Sequence, residues 1–87
     1  MMMDNAVQKQ WEEANNKLYK IIIFKDFVQA FAFMEKLAKL AERESHHPRW
    51  CNEYNKLEIW LSTHDAGDVV TDKDRNMAKL IDDLLTL

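Results

Sequence analysis

Glycine and proline occur once each, as Gly67 and Pro48, so the backbone has few sites for special turns and is expected to be mostly regular. Cysteine also occurs once. A lone Cys51 excludes an intrachain disulfide and any CxxC metal or redox pair. Its simplest reading is a small buried or half-buried residue in a reducing compartment. The formal charge is −3, and no dense Lys/Arg surface is evident, so a general nucleic-acid partner is not expected. No run approaches the ~18 apolar residues of a membrane span. Met1-Met2-Met3-Asp4-Asn5 lacks the basic region and apolar stretch of a secretory signal. The expectation is a cytoplasmic protein with no membrane partner.

What is present is globular in character. Apolar residues make up 47% and charged residues 31% of the 87, too apolar for a disordered chain. One domain over 1–87 is expected, with 1–10 a loose terminal segment or a short helix. A chain this short buries only a modest fraction of its surface, so self-association would help it.

Trp11 to Ala14 suits a short strand, Asn15-Asn16 a turn, and Lys17 to Phe24 a β-branched, aromatic-rich strand; together they predict a hairpin. Asp26 with Gln29 forms a variant capping box for a helix over about 27–44. Its predicted apolar stripe is Phe27, Ala30, Phe31, Met34, Leu37, Ala38 and Ala41. Pro48 requires the helix to end before His47. Residues 53–63 read as the next strand, with Leu57, Ile59 and Leu61 on one face. A loop over 64–70 holds the glycine. Thr71 and Asp74 cap a second amphipathic helix to the C-terminus. The predicted order is ββαβα, with the third strand region open to being broken in two. Two helices on one face of an antiparallel sheet make an α+β domain. Both alternating sets of Lys17–Phe24 carry apolar groups, so the other sheet face also calls for a cover, expected to be a second subunit.

The three histidines stand at element ends, where side chains converge on clefts. His46-His47 follow the first helix and His64 follows the long strand. Extended backbone before Pro48 would send the two adjacent imidazoles to opposite sides. Glu42 lies one turn before His46 and could orient it. Three readings stand at this point: loop and capping residues, a metal site with Glu42 or Asp65, and an acid–base site. The metal reading lacks HxH or HxxxH spacing. Ser45 and Ser62 lie near histidines only in sequence, which is weak support for a nucleophile.

The spacing then becomes specific. Glu42, His46-His47-Pro48, Tyr54, His64 and Asp74, with the segments FKDFVQAFAFM (24–34), HHPRW (46–50), YNKLEIWLSTHDAG (54–67) and DRNMAKLID (74–82), resemble the pterin-4a-carbinolamine dehydratases, also called dimerisation cofactor proteins. The resemblance spans roughly 17 to 82. It implies a four-stranded antiparallel sheet with helices on one side, assembled as homodimers or homotetramers. It implies loss of water from 4a-hydroxytetrahydropterin to give quinonoid dihydropterin, with no cofactor and no metal. Biopterin-like substrates are the family expectation, and folate-type or molybdopterin-related ones remain open.

By the same resemblance, His46, His47 and His64 are catalytic, with His46 and His64 moving protons and Glu42 orienting His46. His47, Pro48, Trp50, Ser62, Thr63 and Asp65 would bind the pterin, with Trp50 either walling the ring or packing. Asp74 is a further match whose role could be capping alone. The family usually has another helix before the position of Trp11, for which this chain has little room. A non-catalytic, dimer-stabilising interaction module of the same fold is the alternative function.

Overall fold

The computed structural model describes residues 7–86. Strands β1 (Val7–Gln8), β2 (Glu12–Ala14) and β3 (Lys17–Ile23) precede helix α1 (Phe27–Glu44). Strands β4 (Arg49–Glu53) and β5 (Lys56–Leu61), a single 3-10 turn at His64–Ala66 and helix α2 (Asp72–Leu84) follow. All strand pairings are antiparallel. β1 and β2 share one edge of β3, opposite Ile22–Ile23 and Lys17–Tyr19 respectively, so the sheet is four strands wide: β1/β2, β3, β5, β4. This is the expected α+β architecture.

Two segments differ from expectation. The loose terminus expected over 1–10 is instead paired at Val7–Gln8, while 1–6 lie outside the described residues. The single strand expected over 53–63 is a hairpin. Tyr54, at φ 53°, and Asn55 form a two-residue turn after which the chain reverses. The Asn52 side-chain amide donates to the carbonyls of Tyr54 (3.1 Å) and Lys56 (2.9 Å), fixing that turn from inside β4.

Period-2 alternation sorts β3 and β5 onto two faces. Leu18, Ile22, Leu57, Ile59 and Leu61 are buried toward the helices, with Phe24 just beyond β3. They meet Ala30, Phe33, Met34, Leu37, Leu40 and Ala41 of α1 and Met77, Ala78 and Ile81 of α2. The buried stripe of α1 is rotated from the predicted one. Phe33 and Leu40 are inside, whereas Phe27, Phe31 and Ala38 are exposed. Lys20 lies in the inward set of β3 and is only 2% exposed. Its ammonium pairs with Asp82 of α2 at 2.6 Å, and the Trp11 indole N–H donates to the same carboxylate at 3.0 Å. A buried ammonium needs such a partner.

The opposite face of the sheet is open. Tyr19 and Trp60 stand side by side there, ring centroids 5.3 Å apart, and the Arg49 guanidinium lies 4.5 Å over the Trp60 ring. Cys51 is on this face and exposed, not buried as expected, because its strand neighbours Trp50 and Asn52 take the other side of β4. The Tyr19 hydroxyl donates to Glu58 at 2.6 Å. That bond, then burial and the charges of Glu58 and Glu12, push the Tyr19 phenol up to about 12. An ultraviolet titration should therefore show a tyrosine step near 12 that vanishes in Tyr19→Phe. Tyr19 ionising near the ordinary ~10 would contradict the bond.

Candidate active site

Helix α1 ends at Ser45, which adopts the left-handed conformation (φ 51°, ψ 40°). The Ser45 N–H returns to the Glu42 carbonyl (3.3 Å) and the His46 N–H to that of Ala41 (3.1 Å), a paired closure that satisfies two carbonyls of the last turn. The reversal sends consecutive side chains apart. The His46 side chain turns inward and is 11% exposed; that of His47 faces out and is 63% exposed.

Inward, His46 Nε2 meets Asp74 Oδ1 at 2.6 Å. Asp74 is fully buried in the first turn of α2. Its other oxygen accepts from the Thr63 hydroxyl (2.7 Å) and the Thr71 N–H (2.9 Å). Burial opposes ionisation of Asp74, but the bonds from Thr71, His46 and Thr63 outweigh it and hold the carboxyl below its usual range. Proton directions follow along the network. The Lys73 N–H donates to Thr71 Oγ1 at 3.3 Å. Thr63 has one proton and gives it to Asp74, so the Thr71 hydroxyl donates to Thr63 Oγ1 at 2.6 Å. An ionised Asp74 has no proton to give, so the proton between it and His46 sits on Nε2. That fixes the tautomer and leaves Nδ1 as the nitrogen with a lone pair.

Helical spacing leads to the expectation that Glu42 orients His46, and it does not. The helix stops at Ser45, and Glu42 Oε2 instead meets His47 Nε2 at 2.6 Å. This pair is exposed and carries little stability. Glu42→Gln should move the stability by less than about 1 kcal/mol, measured by denaturant unfolding. A loss above about 2 kcal/mol would contradict that placement. Asp74 is more than a helix cap: it closes the Thr71 capping box and also binds His46.

His64 opens the 3-10 turn and is exposed. Its ring makes no hydrogen bond among the described residues. The loop beneath it is folded back by Thr63 N–H to Val69 carbonyl (2.8 Å) and Asp68 N–H to Thr63 carbonyl (3.0 Å). Gly67 takes φ 93°, a conformation for which glycine is the default residue.

A polar cavity of about 230 Å³ is lined by Ser45, His46, His47, Ser62, Thr63, His64, Asp65 and Lys73. Six of these are the predicted histidines, Ser62, Thr63 and Asp65. Thr63 contributes little free polarity, since its hydroxyl is committed to Asp74 and Thr71. Ser62 donates to Asp68 at 2.6 Å. Trp50 does not line this cavity; it packs half-buried on the core side of β4, opposite Ile59. Pro48 is half-buried and also outside the lining, so its part is to set the backbone of His47. Lys73 was not anticipated. Its signal was a lysine in the first turn of a helix, where the dipole disfavours a cation. Among the described residues, no group of three or more His, Cys, Asp and Glu side chains is placed to hold a metal ion.

The fold and site thus define a small two-layer α+β domain whose cleft gathers three histidines from the ends of a helix and a strand, one of them locked by a buried carboxylate. The chain belongs to the family described as pterin 4 alpha carbinolamine dehydratase, whose model matches residues 2–84. A Prochlorococcus marinus protein named "Putative pterin-4-alpha-carbinolamine dehydratase" is 50% identical over 72 residues, 83% of this chain and 74% of that protein. A Sulfurisphaera tokodaii protein of the same name is 44% identical over 78 residues, 90% of this chain and 83% of its own. Among solved structures, a transcriptional coactivator/pterin dehydratase from Brucella melitensis superimposes with a TM-score of 0.82 at 34% identity, covering 90% of this chain and 84% of that one. A pterin dehydratase-like protein identified as a RuBisCO assembly factor in the alpha-carboxysome gives 0.76 at 25% identity, covering 88% and 90%.

Proposed function

We propose that this protein dehydrates a 4a-hydroxytetrahydropterin to quinonoid dihydropterin and water, in tetrahydropterin recycling, by histidine acid–base catalysis. One observation carries the reading. A single cavity holds His46, with its Nε2 proton committed to Asp74, beside His64, whose ring makes no hydrogen bond among the described residues. Water leaves readily from C4a only if its oxygen is protonated, and N5 must lose a proton as the C4a–N5 double bond forms. His64 in its cationic form donates to the 4a-oxygen. His46 takes the N5 proton at Nδ1. The C4a–O bond breaks, water departs, and solvent returns both imidazoles to their starting states. His47, with Glu42 behind it, and Asp65 hold the polar edge of the pterin.

Self-association into a homodimer or homotetramer belongs to the same proposal. β4 is an edge strand whose outer backbone groups lack a strand partner among the described residues, a ready template for a second copy.

The test is the pH–rate profile of dehydration, using freshly generated 4a-hydroxytetrahydropterin. A bell is expected, since one histidine acts protonated and the other neutral. No acceleration over the spontaneous reaction at any pH would sink the proposal. A second reading, an interaction module without catalysis, draws on the structural similarity to the assembly factor. It predicts that flat result.

A further inference from the structure

The histidine cavity does not stop at the element ends. A second cavity of about 410 Å³ is lined by His47, Ser62 and His64 on one side and by Lys17, Arg49, Trp60 and Asp68 on the other. It runs onto the open sheet face, where Trp60 and Arg49 also line a third cavity of about 520 Å³ with Tyr19 and Glu58. The first cavity, about 230 Å³, is below the roughly 300–1,000 Å³ of pockets that enclose larger ligands. It has room for a small fused ring and little else. The larger continuation from it, sharing His47, Ser62 and His64, leads past Trp60.

The charges along that path are unequally free. Lys17 is paired with Asp68 at 2.8 Å, and Asp68 also takes the Ser62 hydroxyl, so both the cation and its acid are occupied. Arg49 has no hydrogen bond or ion pair among the described residues; its one partner is the face of Trp60. A guanidinium held over an indole face by its central carbon, with no N–H committed to another described group, keeps its donors available to take a carboxylate in two parallel bonds. Beside it, the Tyr19 and Trp60 rings, inclined at 44° to each other, form an angled aromatic shelf whose Tyr19 side is clear of Arg49. The Tyr19 hydroxyl is turned onto Glu58, which leaves the ring for stacking.

We infer that the site takes a reduced pterin bearing a long substituent, with an aryl group that lies on the Tyr19–Trp60 shelf and a carboxylate that binds Arg49. The inference rests on the pterin reading above and deepens it by naming the substrate class. Arg49 and Trp60 are specificity residues that share a cavity wall with His64 but take no part in the proton transfers. Exposed on β4 and bound to nothing else described, Arg49 can be changed without disturbing the core.

The experiment measures Kd by tryptophan fluorescence for two stable dihydropterins. 7,8-Dihydrobiopterin carries a short neutral arm, and 7,8-dihydrofolate an aryl arm ending in carboxylates. The wild type should bind dihydrofolate about tenfold more tightly, as one charge-assisted hydrogen-bonded contact implies. Arg49→Gln should remove that advantage and leave dihydrobiopterin within about twofold. Equal binding of both ligands, unmoved by Arg49→Gln, overturns the subsite and leaves the pterin site standing. Binding of neither ligand overturns both. Preference for dihydrofolate that survives Arg49→Gln and is lost in Trp60→Thr contradicts the carboxylate contact while retaining the aryl shelf.

Discussion

Asp74→Asn is expected to lower the melting temperature by about 10–20 °C, because a buried carboxylate accepting three bonds becomes an amide that must turn a donor toward donors. Thr63, Thr71 and His46 all present protons to Asp74, and the residue is fully buried, so no water can take over. The sign of the pH effect follows from the depressed carboxyl. Asp74 contributes stability above its unfolded value, near 4, and that contribution is lost as pH falls through the lower folded value. Wild-type stability should therefore fall in acid, and the Asn variant should show a flatter curve over that window. Equal acid sensitivity in both would remove Asp74 as the source. At a temperature where the variant stays folded, kcat should drop by about 10²–10³-fold, since the amide no longer fixes His46 as the Nε2–H tautomer. KM should change little, so the loss appears in kcat. A structural role alone would leave kcat of the folded variant intact.

The second large effect separates catalysis from folding. His64→Ala should change stability by no more than about 0.5 kcal/mol, because the ring is exposed and makes no hydrogen bond among the described residues. The same change should slow dehydration by about 10²–10⁴-fold. His46→Ala should do both, slowing the reaction and destabilising the fold by leaving Asp74 without its closest partner. If His64→Ala unfolds the protein, or leaves the rate intact, its role as proton donor is wrong.

These residues also mark how far the sequence could be read. The hairpin, both helices and their caps were legible because each depends on neighbours: Asn15-Asn16, Asp26, and Thr71 with Asp74. The division of β4 from β5 was hidden because Leu57, Ile59 and Leu61 alternate cleanly, and a strand read backward from them runs through Tyr54. Nothing local requires Tyr54 to take a positive φ; the turn is held by Asn52. The rotated stripe of α1 has a similar origin. Phe27 and Phe31 are as apolar as Phe33, and only packing on the sheet selects among them.

At the site, the three histidines were found and their partners exchanged. One helical turn would bring Glu42 to His46, but Ser45 ends the helix before that turn is complete. The capping role of Asp74 is legible because its partner Thr71 is three residues away, whereas His46 is 28 residues away and joined to it only by the fold. Lys73 and the Arg49–Trp60 stack depend on the same long-range assembly, the latter on the cross-strand register of β4 and β5.

The most direct test is a stopped-flow comparison at neutral pH. The wild type and a His46→Ala, His64→Ala double variant are mixed at equal concentration with freshly generated 4a-hydroxytetrahydropterin. The wild type should give quinonoid dihydropterin far faster than buffer, and the double variant should fall to within a few-fold of the spontaneous rate. A folded double variant that retains the wild-type rate would contradict the assignment of proton transfer to these two histidines.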